Sequence, residues 1–190
     1  RRQRQMFIRD SIKGVRSPAI ALGASFIAIG ALLKNIGFTI QESIFSTFLT
    51  YALPGSLVMA ESMIVGASLL NIFIAVWLVN ARLYPMTVSL MPLLMHKSQP
   101  KWKYYLSCHF IAVSSWLIMK DNYDQINKKS RIDFWIGIGA ATWSVAIIST
   151  IIGYFASDFL NREILIGLAI INPIYFLSLI HISEPTRRPI

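Results

Sequence analysis

Three places in the chain set polar chemistry inside apolar surroundings. The first is Arg82, in WLVNARLYPM (77–86), between two charge-free runs. A guanidinium at the centre of a membrane helix costs roughly 2.5–3.5 kcal/mol on insertion scales, so such a residue is a functional candidate by default. Its fork of N–H donors suits a carboxylate held by two parallel bonds. Snorkelling to a helix end or a contact to backbone carbonyls is the structural alternative. The second is Pro54-Gly55-Ser56, in YALPGSLVMAES (51–62). Proline removes an amide donor and clashes with the preceding turn, and glycine relaxes the backbone. A helix broken there presents a half-helix N-terminus, a ready anion site of backbone N–H groups. A kink tolerated for packing is the competing reading. The third is CHFIAVSSWLIM (108–119), with His109, Ser114 and Ser115. A membrane histidine can relay protons, although it more often bonds a neighbouring helix.

Other candidates are weaker. Glu61 is a carboxylate bordering two apolar windows; it could carry a coupling proton or pair with Arg82. On a straight helix those two would lie near opposite ends, so a pair requires a break or a re-entrant fold. Asn172-Pro173, in AIINPIYFL, interrupts the last apolar run much as Pro54 interrupts an earlier one, a hint of two related halves. Gly66-Ala67-Ser68 and Gly137-x-Gly139 read as packing surfaces; the latter has no strand before it and no third glycine. HExxH, Walker and GxSxG motifs are absent from the sequence, so no enzyme, metal or cofactor is expected. The single cysteine, Cys108, has no CxxC partner and reads as a small apolar residue.

The elements that would position these groups follow from composition. Of 190 residues 55% are hydrophobic and 14% charged, against about 25% charged in ordinary soluble domains. Mean hydropathy is +0.56. A soluble domain of this size cannot hide that much apolar surface, which points to the bilayer as solvent and excludes a disordered chain or a disulfide scaffold. The net charge of +9 sits in short clusters between apolar runs, so it reads as membrane-edge anchoring rather than nucleic-acid binding. Residues 1–16 form a basic cytoplasmic segment with six Lys/Arg. The charge-free windows are Ser17–Leu33, Ser43–Ala60, Ser62–Ala81, Leu83–Met95, Tyr104–Met119, Phe134–Ser157 and Ile164–Ile180. Leu83–Met95 is too short to span and reads as the broken second half of its predecessor. The expectation is an all-α integral membrane protein of about six transmembrane or re-entrant segments with Pro-broken helices, in a helical domain over 17–180. The N-terminus is expected in the cytoplasm of an inner-membrane protein. The positive-inside count comes out the same whether or not 43–66 is re-entrant. The chain does not begin with Met, and the tail HISEPTRRPI (181–190) breaks the apolar pattern; the tail is expected to be non-native and the domain cut short.

One stretch carries a resemblance. GASLLNIFIAVWLVNARLYPMTVSLMP (66–92), with its Val79-Asn80-x-Arg82 core and the run ending at Pro92, resembles the signature region of the AzlC family. Downstream, GIGAATWSVAIISTIIGYFASDFL and LIGLAIINPIYFLSLI resemble the family's later helices, so the likeness covers about residues 14–180. It implies a multi-pass permease that exports branched-chain amino acids together with a small hydrophobic AzlD-type subunit. Asn80 and Arg82 match the motif. The chain departs from it in two places: Ser114-Ser115 stands where many members carry an acidic pair, and Gly55-Ser56 replaces a serine–glutamine pair. The expectation is gradient-driven export, with Arg82, Asn80 and the Pro54-Gly55-Ser56 break holding the substrate and Glu61, His109, Ser114 and Ser115 as coupling candidates. A non-transporting membrane scaffold for a small hydrophobic partner is the alternative.

Overall fold

The computed structural model describes residues 2–96, 99–159, 161, 163–168, 170, 171 and 174, with side chains from Ala19 onward except at 121 and 125. Among these residues every regular element is helical: α1 Arg2–Asn35, α2 Ile40–Thr50, α3 Leu53–Ile64, α4 Leu69–Asn80, α5 Leu83–Leu94, α6 Lys101–Ser107, α7 Val113–Asn122 and α8 Arg131–Ala156. The expected all-α class holds. The interruption at Asn172-Pro173 and the tail 181–190 lie outside the described residues.

The charge-free windows turn out to be subdivided. Ser43–Ala60 breaks into α2 and α3, and Tyr104–Met119 into α6, a 3-10 turn over Cys108–Phe110, and α7. Leu83–Met95 is the second half of a bent pair, as its length suggests: α4 and α5 meet at 43°. Lys128–Ala156 is long and apolar enough to cross a membrane, and the bent pair would make a second such span. Among the described residues the other windows give shorter or broken helices, for a simple reason. Absence of charge measures hydrophobicity, whereas spanning also needs unbroken helix, about 20 residues of it.

Local chemistry explains several boundaries. Thr39 and Glu42 form a capping box at the start of α2, in which Thr39 N–H donates to Glu42 (2.8 Å) and Glu42 N–H to Thr39 Oγ1 (3.3 Å). Thr39 N–H and the Thr39 hydroxyl, both donating to the exposed Glu42 carboxyl at 2.8 Å, hold it below its usual range. Ser68 caps α4 by accepting from Asn71 N–H. Pro54 falls in the first turn of α3, where its missing N–H costs nothing.

The centre of the molecule is α1 packed along α8. Glycines permit backbone contact: a Cβ at Gly30 would collide with the Thr150 carbonyl, and one at Gly153 with that of Ile27. Such close approach is how helices associate where no hydrophobic effect drives them together. Leu22, Phe26, Ile29 and Leu33 of α1, Tyr51 and Ala146 form one core cluster. A second gathers Leu90, Leu94, Ile111, Met119, Ile132 and Trp135, whose indole N–H donates to Ser107 O (3.1 Å). The peripheral α4 buries no residue and exposes Leu69 (85%), Phe73 and Trp77. An apolar face of that size is not left to water.

Candidate functional site

The site begins where α2 stops. Tyr51 takes φ 28°, which a side chain rarely adopts, and Ala52 is extended, so the helix axis is interrupted just before Leu53-Pro54-Gly55. A left-handed tyrosine costs on the order of 1–3 kcal/mol and persists only where its surroundings over-determine it. Here the Tyr51 hydroxyl donates to Thr142 Oγ1 (2.7 Å) and its ring stacks on Phe26. The Trp143 indole N–H donates to Phe48 O (3.3 Å) in the last turn of α2. Helix α8 thus clamps the break from one side.

The break frees backbone donors. The first intrahelical bond of α3 runs from Ser56 N–H to Ala52 O (3.0 Å), so the N–H groups of Leu53 and Gly55 precede the helical ladder. Helices α3 and α4 form an antiparallel hairpin through the turn at 65–68, which carries the end of α4 back to the start of α3. Asn80 lies over Gly55 so closely that a Cβ at 55 would stand 2.6 Å from Asn80 Nδ2 and 2.8 Å from Oδ1. Ser56 is 1% exposed, and its Oγ, like Asn80 Oδ1, is buried without a hydrogen-bond partner. Such groups cost about 1–3 kcal/mol each when left unmade.

The other candidates fall out unevenly. Arg82 follows Asn80 by two residues, at the bend between α4 and α5. It is exposed and has no hydrogen bond or ion pair among the described residues. Glu61 is exposed toward the far end of α3; the ion pairs among the described residues are Lys34–Asp158 and Lys103–Asp133, so no Glu61–Arg82 pair forms. His109 is exposed, with its ring 6.4 Å from Phe48 and 6.2 Å from Trp143, beside the end of α2. Ser115 is consumed locally: its Oγ accepts from Ala112 N–H (3.0 Å) and lies 2.8 Å from Phe110 O. Ser114 is buried with an unpartnered Oγ.

Sequence reasoning missed Arg131. It is 8% exposed; its Nε donates to Ile126 O (3.2 Å), its Nη1 to Leu93 O (3.3 Å), and its guanidinium lies 5.2 Å from the Tyr123 ring centre. It ties the end of α5 to the start of α8. Its place at the end of the basic run NKKSR disguised it as an anchor. Tyr51 and Thr142 were also missed; a tyrosine just ahead of a Pro-Gly break and a threonine in an apolar run were the available signals.

No curated protein and no solved structure matches the chain. The family model described as AzlC protein matches residues 18–160, which includes α2 to α8 and the break. The chain therefore belongs to the AzlC family of transport-related membrane proteins.

Proposed function

We propose that this protein exports branched-chain amino acids down a gradient-driven cycle, with the α3–α4 corner as the substrate site. The observation that carries the reading is the pair of buried, unpartnered atoms, Ser56 Oγ and Asn80 Oδ1, at the start of a broken helix. Their chemistry is complementary to an α-amino acid. The Ser56 hydroxyl and the N–H groups of Leu53 and Gly55 donate, as a carboxylate requires. Asn80 Oδ1 accepts, as an ammonium requires. Arg82, two residues on and without an internal partner, supplies the cation that steers the carboxylate in. Leu53 and Leu57, which flank the break, offer an apolar wall to a branched side chain.

With no nucleotide motif in the sequence, the driving force is a gradient, and a proton is the simplest choice. His109 is the better-placed carrier because it stands beside the break, whereas Glu61 stands toward the opposite end of the hairpin. The exposed apolar face of α4 suits the small AzlD-type membrane subunit that the family likeness implies. The basic N-terminal segment argues for a cytoplasmic N-terminus.

The test is efflux of radiolabelled valine from cells making this chain with its small partner. Arg82→Ala and Asn80→Ala are expected to insert normally and to lose export by tenfold or more. Unchanged efflux from correctly inserted variants would remove both residues from the site.

A further inference from the structure

The chain contains a second helix break of the same form, which the proposed site does not use. Ala112, extended like Ala52 and with the same φ of −140°, precedes α7 as Ala52 precedes α3. The first turn of α7 carries Ser114, 2% exposed, and its Oγ is buried without a partner, as Ser56 Oγ is in the first turn of α3. The first intrahelical bond of α7 runs from Trp116 N–H to Ala112 O (2.9 Å), so the N–H groups of Val113, Ser114 and Ser115 precede the ladder.

The two breaks share their surroundings. Leu53 and Ala112 both pack on the cluster of Leu22, Phe26, Ile29, Tyr51 and Ala146. The segments that lead into them touch: Phe48 of α2 and His109 both pack on Trp143 of α8, at ring distances of 4.7 and 6.2 Å. Two helix N-termini, each equivalent to about half a positive charge, therefore border one core. No acidic side chain described in the structure is buried to neutralise them. Each brings an orphaned hydroxyl able to donate.

From this we infer that the first turns of α3 and α7 hold one carboxylate between them, with Ser56 and Ser114 as the two hydroxyl donors. The inference rests on the substrate reading above and deepens it: the anion is gripped from two helix ends rather than one. It also assigns a use to the serine at 114. A hydroxyl that donates to an anion cannot replace a titrating carboxyl, so Ser114 binds and does not couple.

The test is equilibrium binding to the intact protein in nanodiscs, with L-valine, isobutyrate and valinamide as probes. Ser56→Ala, Ser114→Ala and the double variant are compared with the unaltered chain. Each single change is expected to weaken valine and isobutyrate about tenfold, the loss of a hydrogen bond to a charged group. Valinamide, without a carboxylate, should bind poorly and respond to neither change. The double variant should lose less than the product of the singles, since both donors serve one anion. Ser114→Cys, which keeps a weak donor, should retain part of the affinity, separating lost binding from lost fold. If Ser114→Ala leaves both carboxylate probes within twofold while Ser56→Ala does not, the two-ended grip is wrong and the α3 site survives. If isobutyrate binds with dependence on both serines but valine does not, the grip stands and the amino-acid reading falls. Failure of both carboxylate probes to bind overturns the grip together with the reading beneath it.

Discussion

The α1–α8 pair and the α3–α4 hairpin are both glycine-mediated helix contacts, yet they are built to different ends. Between α1 and α8, glycines bring backbone against backbone. Two polar contacts bind the α8 surface: Thr47 Oγ1 and Thr150 Oγ1 are 3.0 Å apart, and Tyr154 O–H donates to Phe38 O (3.0 Å). In the hairpin the glycine contact is with a side chain, Asn80 on Gly55, and the polar atoms beside it are left unpaired. Among the described residues α4 packs mainly on its partner helix, and it buries no residue. A backbone-tight pair is a rigid frame. A hairpin with unpaired polar atoms gives up stability, which suits the substrate site proposed above.

The same substitution in the two regions should separate frame from site. Gly153→Ala places a methyl on the Ile27 carbonyl, which belongs to a packed helix and cannot move aside; a loss of about 3 kcal/mol or more is expected. It would be read as a large fall in the thermal midpoint of the purified protein. Gly55→Ala meets only the Asn80 carboxamide, and alanine favours helix by up to about 1 kcal/mol. The expected result is near-normal melting with valine efflux down about tenfold. Equal destabilisation by both changes would erase the distinction.

A smaller effect is expected at Arg131, which belongs to the frame. Arg131→Met should destabilise by about 1–3 kcal/mol, because the carbonyls of Leu93 and Ile126 lose their donors. Per-molecule efflux of the folded fraction should be unchanged, unlike the loss expected of Arg82→Ala.

The smallest effect concerns the clip closing the frame at one end. Lys34 Nζ bonds Asp158 at 2.8 Å and lies over the Tyr154 ring. The hydrogen bond to Lys34 and its charge hold the Asp158 carboxyl below its usual range. A carboxyl depressed in the folded state contributes stability that is fully present above its unfolded pKa of about 3.9. That contribution is lost as pH falls through the lower folded value. This pair should therefore give the thermal midpoint no pH dependence between pH 7 and 5, and a slight acid dependence below about pH 4 that Lys34→Met removes. An exposed pair of this kind is worth little.

Much of this was legible beforehand. Helices follow from uninterrupted apolar runs, and the break ahead of Pro54 from a ring that clashes with the preceding turn, because both are properties of the local chain. The bend at Ala81-Arg82 was visible as a window too short to span. The break at Ala112 was not: no proline marks it, and it is held by Ser115 capping backbone groups and by Phe110 packing on Gly139. Which arginine is enclosed was not legible for a related reason. Arg82 has charge-free flanks yet is exposed, while Arg131 ends a basic run yet is buried on carbonyls and a tyrosine ring.

The sequence by itself determined that the chain is helical, that it is too apolar for water, where one helix must break, and which family it resembles. Only the tertiary structure decided which cation is enclosed, which amide covers Gly55, and that two separate helix starts border one core. Helix formation and its interruption depend on neighbours along the chain. Burial and hydrogen-bond satisfaction depend on neighbours in space, which residues such as Gly55 and Asn80 acquire only when the hairpin closes.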